Sequence, residues 1–438
     1  MGQLNLPNNA DANTPSDGKT AVFTNPSGLL ATKDAAGNIY EYSPTPLENE
    51  GMIYGVRWDS VNDIMQPGIV SDGYFVATDY ANFPVQEQVG RYLVTTGGSK
   101  SKLNAYGSSI FPDGTSAILD GSSGQVLTWV PRHYQLVITD GDYVYMLISE
   151  QPFGFNGVSA WIPPAFLNWS GFWVGAFQAV AASDSSSADV HSVIKDTSGY
   201  SMSYPNPFTN QTRGQFRSQC ANVGSGFCQW SYGMQEVLRI LFITEYKTWN
   251  SQAVLPGCTE RSYDYSNTSQ AGETVHLGDY SGSIYSAAAE LYIANSYRGV
   301  ENPFGNVEQF LDGINIDTDD NQRVWLAFDP DNFADDTSTG YIDSGIAPAF
   351  DGESDYQKDI DGTSRYAPLW PVALNDGADS ESYMTDYLWS NAAGSGWQVV
   401  QSGGTSYNGT QVGFGCFNST YDSGGDTWPY GSRLAAYI

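Results

Sequence analysis

Short apolar runs separated by turn residues dominate the chain. Gln125-Val126-Leu127-Thr128-Trp129-Val130 ahead of Pro131, and Tyr143-Val144-Tyr145-Met146-Leu147-Ile148, each have the length and β-branched or aromatic content of one strand. The aromatic stretch from Trp161 to Phe177, with Phe166, Trp169, Phe172 and Trp173, reads as core strands. Helical spacing is clearest over Met234 to Lys247, where Val237, Leu238, Leu241, Phe242 and Tyr246 share one face. Glu236 lies early in that segment, where the helix dipole favours an acid. A second, shorter helix is expected over Val307-Glu308-Gln309-Phe310-Leu311, stopped by Gly313. Two or three helices among many short strands predict an α+β fold, not alternating βα units.

The pattern changes along the chain. Residues 1–50 are rich in Asn, Pro, Asp and Gly and hold only short strand-like runs, at Thr20-Ala21-Val22-Phe23, Gly28-Leu29-Leu30 and Asn38-Ile39-Tyr40. So little apolar material does not support an independent core, so this segment is expected to oligomerise or to dock onto another protein. Residues 51–438 form one long globular body. Within it, residues 329–382 are rich in Asp, Gly, Ser and Thr and are expected to form long surface loops. No internal repeat of fixed period is visible.

Charge narrows the partners. The 48 acidic residues against 18 Lys plus Arg give a net charge of −30. Such a field repels phosphate backbones and anionic membranes, which excludes nucleic acid as the natural partner. No run approaches the roughly 18 apolar residues that would span a bilayer, so membrane insertion is not expected. Met1-Gly2-Gln3-Leu4-Asn5 carries neither the basic nor the apolar part of a secretory signal, and cytoplasmic synthesis without export is expected. Cys220 and Cys228 could close a short loop if oxidised, although a reducing compartment favours free thiols for them and for Cys258 and Cys416. The 29 Tyr and 12 Trp suit either a β-rich core or a binding surface.

Catalytic signatures are missing from the sequence. It has no Gly-x-Ser-x-Gly elbow, phosphate-binding glycine loop or HExxH. His133, His191 and His276 stand in unrelated contexts and are expected to be satisfied structural residues. The clusters Asp317/Asp319/Asp320, Asp329/Asp331/Asp335/Asp336 and Asp351/Glu353/Asp355 lack the spacing of an EF-hand. Solvated loop charge is expected for them, with calcium as the alternative.

Five stretches in order point to a family. Ser296-Tyr297-Arg298-Gly299-Val300-Glu301-Asn302-Pro303-Phe304-Gly305-Asn306-Val307, followed by Phe310-Leu311-Asp312-Gly313, is the most specific. Before it come Tyr54-Gly55-Val56-Arg57-Trp58-Asp59, Leu119-Asp120-Gly121-Ser122-Ser123-Gly124-Gln125-Val126 with Pro131 and Tyr134, and Leu241-Phe242-Ile243-Thr244-Glu245-Tyr246 with Asn250-Ser251-Gln252-Ala253. The chain closes on Tyr430-Gly431-Ser432-Arg433-Leu434-Ala435. From about residue 54 onward the sequence resembles the C-type-lectin-fold proteins of tailed phages. That group includes relatives of the phage major tropism determinant and the variable proteins of diversity-generating retroelements.

The resemblance implies a C-type-lectin-like body preceded by a small β-rich attachment segment. It also implies a homotrimeric, non-enzymatic protein of the virion surface, assembled in the host cytoplasm. The N-terminus would join other virion proteins, and a ligand-binding surface within residues 385–438 would meet a host cell-surface protein or glycan. On that surface the residues expected to bind are Thr405, Tyr407, Asn408, Phe417, Asn418, Thr420, Tyr421, Thr427, Trp428 and Tyr430. Their mix of rigid aromatics and short hydrogen-bonding groups suits adaptable recognition. Arg298, Glu301, Asn302, Gly305, Asp312 and Arg433 are expected to serve the frame, with Arg298 and Glu301 pairing or capping backbone groups and Arg433 anchoring the last strand. A capsid decoration protein and, further off, a polysaccharide depolymerase are the alternatives. Fibre, tail tip, collar and head fibre are equally compatible positions on the particle.

Overall fold

The computed structural model describes residues 21–24, 30–33, 39–41, 51–181, 189–193, 206–262, 268–348, 354–391 and 396–438. The chain divides into two compact units, Met1–Met52 and Ile53–Ile438. In the first, the strands Ala21–Thr24, Leu30–Lys33 and Ile39–Glu41 form an antiparallel meander. The first and third overlap the short runs read from the sequence, while the second shares only Leu30 with the run Gly28-Leu29-Leu30.

The larger unit is α+β, with strands in the majority and three α-helices among the described residues. A five-stranded antiparallel sheet runs in the order Tyr134–Asp140, Tyr143–Ser149, Tyr54–Asp59, Ile64–Ser71, Tyr74–Ala77. A six-stranded sheet contains Gln125–Pro131 and Gly171–Gly175, and the last strand, Leu434–Ala436, lies between Gly171–Gly175 and Phe227–Gln229. The largest sheet is built on Glu308–Asp317, which pairs with Arg323–Leu326 on one side and Trp397–Ser402 on the other. Phe417–Ser419 and Tyr387–Ser390 extend it.

Helix α1 spans Arg213–Asn222, α2 Tyr232–Tyr246 and α3 Ser251–Val254. Helix α2 begins where the Ser231 side chain accepts from the Met234 N–H and ends at Lys247 in the left-handed region. It is buried from Tyr232 through Thr244, because it packs against both the Tyr54–Asp59 and the Glu308–Asp317 strands. A helix enclosed on all sides must find partners for its polar groups, and Gln235, Glu236 and Arg239 each make a hydrogen bond inside, although Gln235 Oε1 and one Arg239 nitrogen have no partner among the described residues.

Three expectations are corrected. Val307 to Leu311 is not helical: Glu308–Asp317 is a strand, buried at every position but the last. Its apolar residues face packing on both sides, so the run mimics helical spacing without the polar stripe of an amphipathic helix. Gly313 does not stop a helix but sits within that strand at φ +69, where register with Trp397–Ser402 shifts. In the aromatic stretch only Gly171–Gly175 is an extended strand, while Pro164–Phe166 forms a 3-10 turn and Trp169 is exposed. Residues 329–382 are not simply surface loops, since Asp355–Ile360 and Pro371–Leu374 are strands and Leu369 and Trp370 are buried.

Candidate binding surface of the C-terminal segment

The frame motif organises the interior around arginines. Arg298, at φ +47, makes a two-pronged contact with Glu245 (2.7 and 3.0 Å), so it does not pair with Glu301 as the three-residue spacing suggested. Glu301 instead caps backbone: its carboxylate accepts from the N–H groups of Gly272 (2.8 Å) and Thr274 (2.7 Å) and from the Thr274 hydroxyl. Asn302 accepts from the Asn295 N–H and Gly305 turns at φ +77 against the Cys258 carbonyl. Asp312 is clasped by Arg217 through two bonds, 2.6 and 2.9 Å. Arg433 is fully buried and donates to Gln309 Oε1, to the Gly175 carbonyl and to the carbonyls of Glu301 and Asn302. Burial draws its pKa down to about 9, which leaves it protonated at neutral pH.

On this frame the C-terminal segments present an aromatic patch. The rings of Tyr407 and Trp428 lie 5.6 Å apart and 34° from parallel. Tyr421 and Tyr430 lie 5.3 Å apart, with Tyr421 44% exposed and Tyr430 buried against Phe310. The loops are fixed locally: Asn408 Oδ1 accepts from the Thr405 N–H, Asn418 Oδ1 from the Thr420 N–H and hydroxyl, and Asn210 Oδ1 from the Trp428 N–H. These bonds hold the aromatic side chains on braced backbone.

The ten expected contact residues separate by burial. Tyr421 and Thr427 are exposed, and Tyr407, Asn408, Thr420 and Trp428 are partly exposed. Thr405, Phe417, Asn418 and Tyr430 are buried. Phe417 stacks on Trp370 at 5.2 Å and belongs to the core. Sequence alone could not divide a strand residue facing outward from its neighbour facing inward.

Glu308 was not among the expected contacts, yet it lies directly behind the patch. It is opposite Tyr430 in a parallel pair, is buried, and takes one hydrogen bond, from Asn418 Nδ2 at 3.1 Å. Burial pushes its carboxyl up to about 7. Burial above all, then a hydrogen bond with Tyr421 and the Glu308 carboxyl, push the Tyr430 phenol up. The nearby Gln401 amide is buried with neither its oxygen nor its nitrogen partnered among the described residues.

The remaining sequence candidates fall elsewhere. His133 is buried, bonded through Nδ1 to the Pro131 carbonyl, and lowered by burial to about 4. Its Nε2 has no partner among the described residues, so it is only half satisfied. Asp335 is not solvated loop charge, because it bridges Arg213 and Arg217. Asp320 pairs with Arg323, and Asp317 and Asp329 cap their own turns. Asp351 and Glu353 lie outside the described residues. Among the described residues no group of three or more His, Cys, Asp or Glu is placed to hold a metal ion. All four cysteines are free and buried, so Cys220 and Cys228 do not close a loop. Among the described residues no helix is long and apolar enough to cross a membrane.

The chain matches no protein-family model and no curated protein. The family resemblance therefore rests on the five sequence stretches.

Proposed function

We propose that this chain is a non-enzymatic adhesin of a tailed-phage virion, carrying a C-type-lectin-like body that engages a host-cell receptor with its C-terminal surface. The observation that carries the reading is the patch of Tyr407, Trp428 and Tyr421, three aromatics from separate segments gathered at the surface beside Thr420 and Thr427. Aromatic rings with few torsions and a polar rim supply contact area at small entropic cost, which is what a recognition surface needs. The negative charge favours a protein or glycan receptor over nucleic acid. The N-terminal unit joins the protein to the virion as a homotrimer, and repeated copies on one particle convert shallow individual sites into avid attachment.

The test is adsorption of purified protein to cells of the bacterium the phage infects. The comparison is with a Tyr407→Ala/Tyr421→Ala/Trp428→Ala variant whose melting temperature is unchanged. Binding by the wild type and its loss in the variant support the adhesin reading. Failure of the wild type to bind sinks it and moves a capsid decoration role ahead.

A further inference from the structure

Sheet edges offer unpaired main-chain donors and acceptors to any strand that comes past, so folded chains blunt them. This chain does so at most of its large-sheet edges. Lys100–Lys102 puts two lysines on one edge of the six-stranded sheet, and α1 packs against Phe227–Gln229 at the other. In the largest sheet, the edge strand Pro371–Leu374 begins with a proline, and Ile342–Asp343 at the far edge is only two residues long. The Tyr134–Asp140 edge of the five-stranded sheet is bridged by Trp161 at Gln135.

The opposite edge of that sheet, Tyr74–Ala77, carries none of these devices. Among the described residues no strand lies beyond it. Tyr74-Phe75-Val76-Ala77-Thr78 holds no charge and no proline, and Tyr, Phe, Val and Thr are strong strand formers. Tyr74 is 75% exposed and Val76 44%.

The strand is nonetheless held in place. Asp72 and Gly73 make a tight turn at positive φ (+52 and +80), and the Thr78 N–H donates to the Pro67 carbonyl at 3.2 Å. The Phe75 ring folds back over Gly68, against Tyr145 and Arg57. The register opposes Ser71 to Tyr74 and Ile69 to Val76. By antiparallel alternation, Tyr74, Val76 and Thr78 direct their main-chain groups into the sheet, while Phe75 and Ala77 direct theirs outwards.

We propose that this edge pairs with the same strand of a second copy of the chain, antiparallel across a two-fold axis at Val76. In that register Phe75 of one copy faces Ala77 of the other, and each such pair exchanges both main-chain hydrogen bonds. Val76 meets Val76 of the second copy, and Tyr74 meets its Thr78. A large side chain thereby lies against a small one on both faces, an isologous fit that the segment supplies by itself. Charge selects the same occupant. With a net charge of −30, two copies approach most easily where acid is absent, and this strand is such a strip. Beyond its ends, Asp72 sits in the turn and Asp79 is paired with Lys247. A basic partner finds no carboxylate on Tyr74 to Thr78 to hold it. The edge is short, so isolated copies associate weakly, and copies held close together gain by effective concentration. The pairing rests on this edge alone and does not depend on the adhesin reading.

The experiment is disulfide trapping in the full chain. Val76→Cys places a thiol opposite its own copy, where the Cα atoms of a non-hydrogen-bonded pair stand about 4.5 Å apart, within disulfide reach. Tyr74→Cys is the control, more exposed but opposite Thr78. The native cysteines are buried in both. Under diamide, Val76→Cys is expected to give a covalent dimer on a non-reducing gel at least about tenfold faster than Tyr74→Cys. Light scattering gives a second readout: the mass of the wild type rises with concentration, and that of Val76→Lys stays flat. Val76→Lys changes an exposed position, and an unaltered melting temperature confirms its fold. The proposal is overturned if Val76→Cys and Tyr74→Cys cross-link alike, if neither cross-links, or if Val76→Lys associates as the wild type does.

Discussion

Arg433 donates from one guanidinium nitrogen to the carbonyls of both Glu301, at 2.6 Å, and Asn302, at 2.9 Å. Residues far apart in the chain are thereby locked together, since the same side chain also holds Gln309 and the Gly175 carbonyl. The last strand, Leu434–Ala436, follows immediately and pairs between two others. Arg433→Lys keeps a charge but lacks the planar fork, so several buried carbonyls lose their donor. We expect a loss of about 3 kcal/mol or more, read as a fall in the denaturant midpoint. A midpoint within error of wild type would mean that the fork is not what anchors the last strand.

Gly313 is the next most sensitive position in the frame. It sits at φ +69, and a Cβ there would come within 2.3 Å of the Ala327 carbonyl oxygen. Gly313→Ala therefore combines backbone strain with a clash against main chain, which cannot move as a side-chain tip can. The expected outcome is poor soluble yield, or a melting temperature lowered by several degrees in a thermal scan. Gly409→Ala, also at positive φ (+60) but with open space around its Cβ, is the control that carries the strain alone.

These two residues also mark how far the sequence could be read. Arg433 was legible as an anchor because an arginine beside a closing strand has few other uses. Gly313 was legible as a conformational requirement but not as part of a strand. Val307, Phe310 and Leu311 show three-four spacing, and only the Trp397–Ser402 and Arg323–Leu326 partners make the segment β. Helix α1 went unread although Thr212 and Gln215 form a capping box that was visible in the sequence. The mean apolarity of α1 is low, so its period was masked. At the binding surface the residue types were legible, but their orientation depends on strand register. Glu308 was hidden for the same reason, having been assigned to a helix.

The division of the C-terminal residues into core and surface has opposite consequences for two aromatics. Phe417 is buried and stacked on Trp370, so Phe417→Ala should cost about 3–5 kcal/mol of stability. Tyr421 is 44% exposed, and Tyr421→Ala should lower stability far less while weakening cell adsorption. Thermal melts beside adsorption assays check both. A Tyr421→Ala protein that melts as early as Phe417→Ala would place Tyr421 in the core and remove it from the recognition surface.

Glu308 couples the patch to pH. Its carboxyl stands at about 7 in the fold against 4.5 as the ordinary value, because burial disfavours the charge and one neutral amide opposes that only weakly. The folded state thus holds the proton more tightly than the unfolded chain. Its contribution is fully present below about pH 4.5 and is lost as pH rises through about 7, a change on the order of 3 kcal/mol. Asp386, at about 7, and Glu236, at about 8, act in the same direction, and relief of net negative charge adds to them. Glu308→Gln separates this group from the rest, since an amide keeps an oxygen for Asn418 and never ionises. The variant should match wild type near pH 5 and exceed it near pH 8, in denaturant midpoints measured at both. Parallel pH dependences would show that Glu308 ionises as freely in the fold as outside it. A gap opening only at pH 8 would mean that Tyr430 and Tyr421 rest on a carboxyl whose charge changes near neutrality, so adsorption should then be compared at the same two pH values.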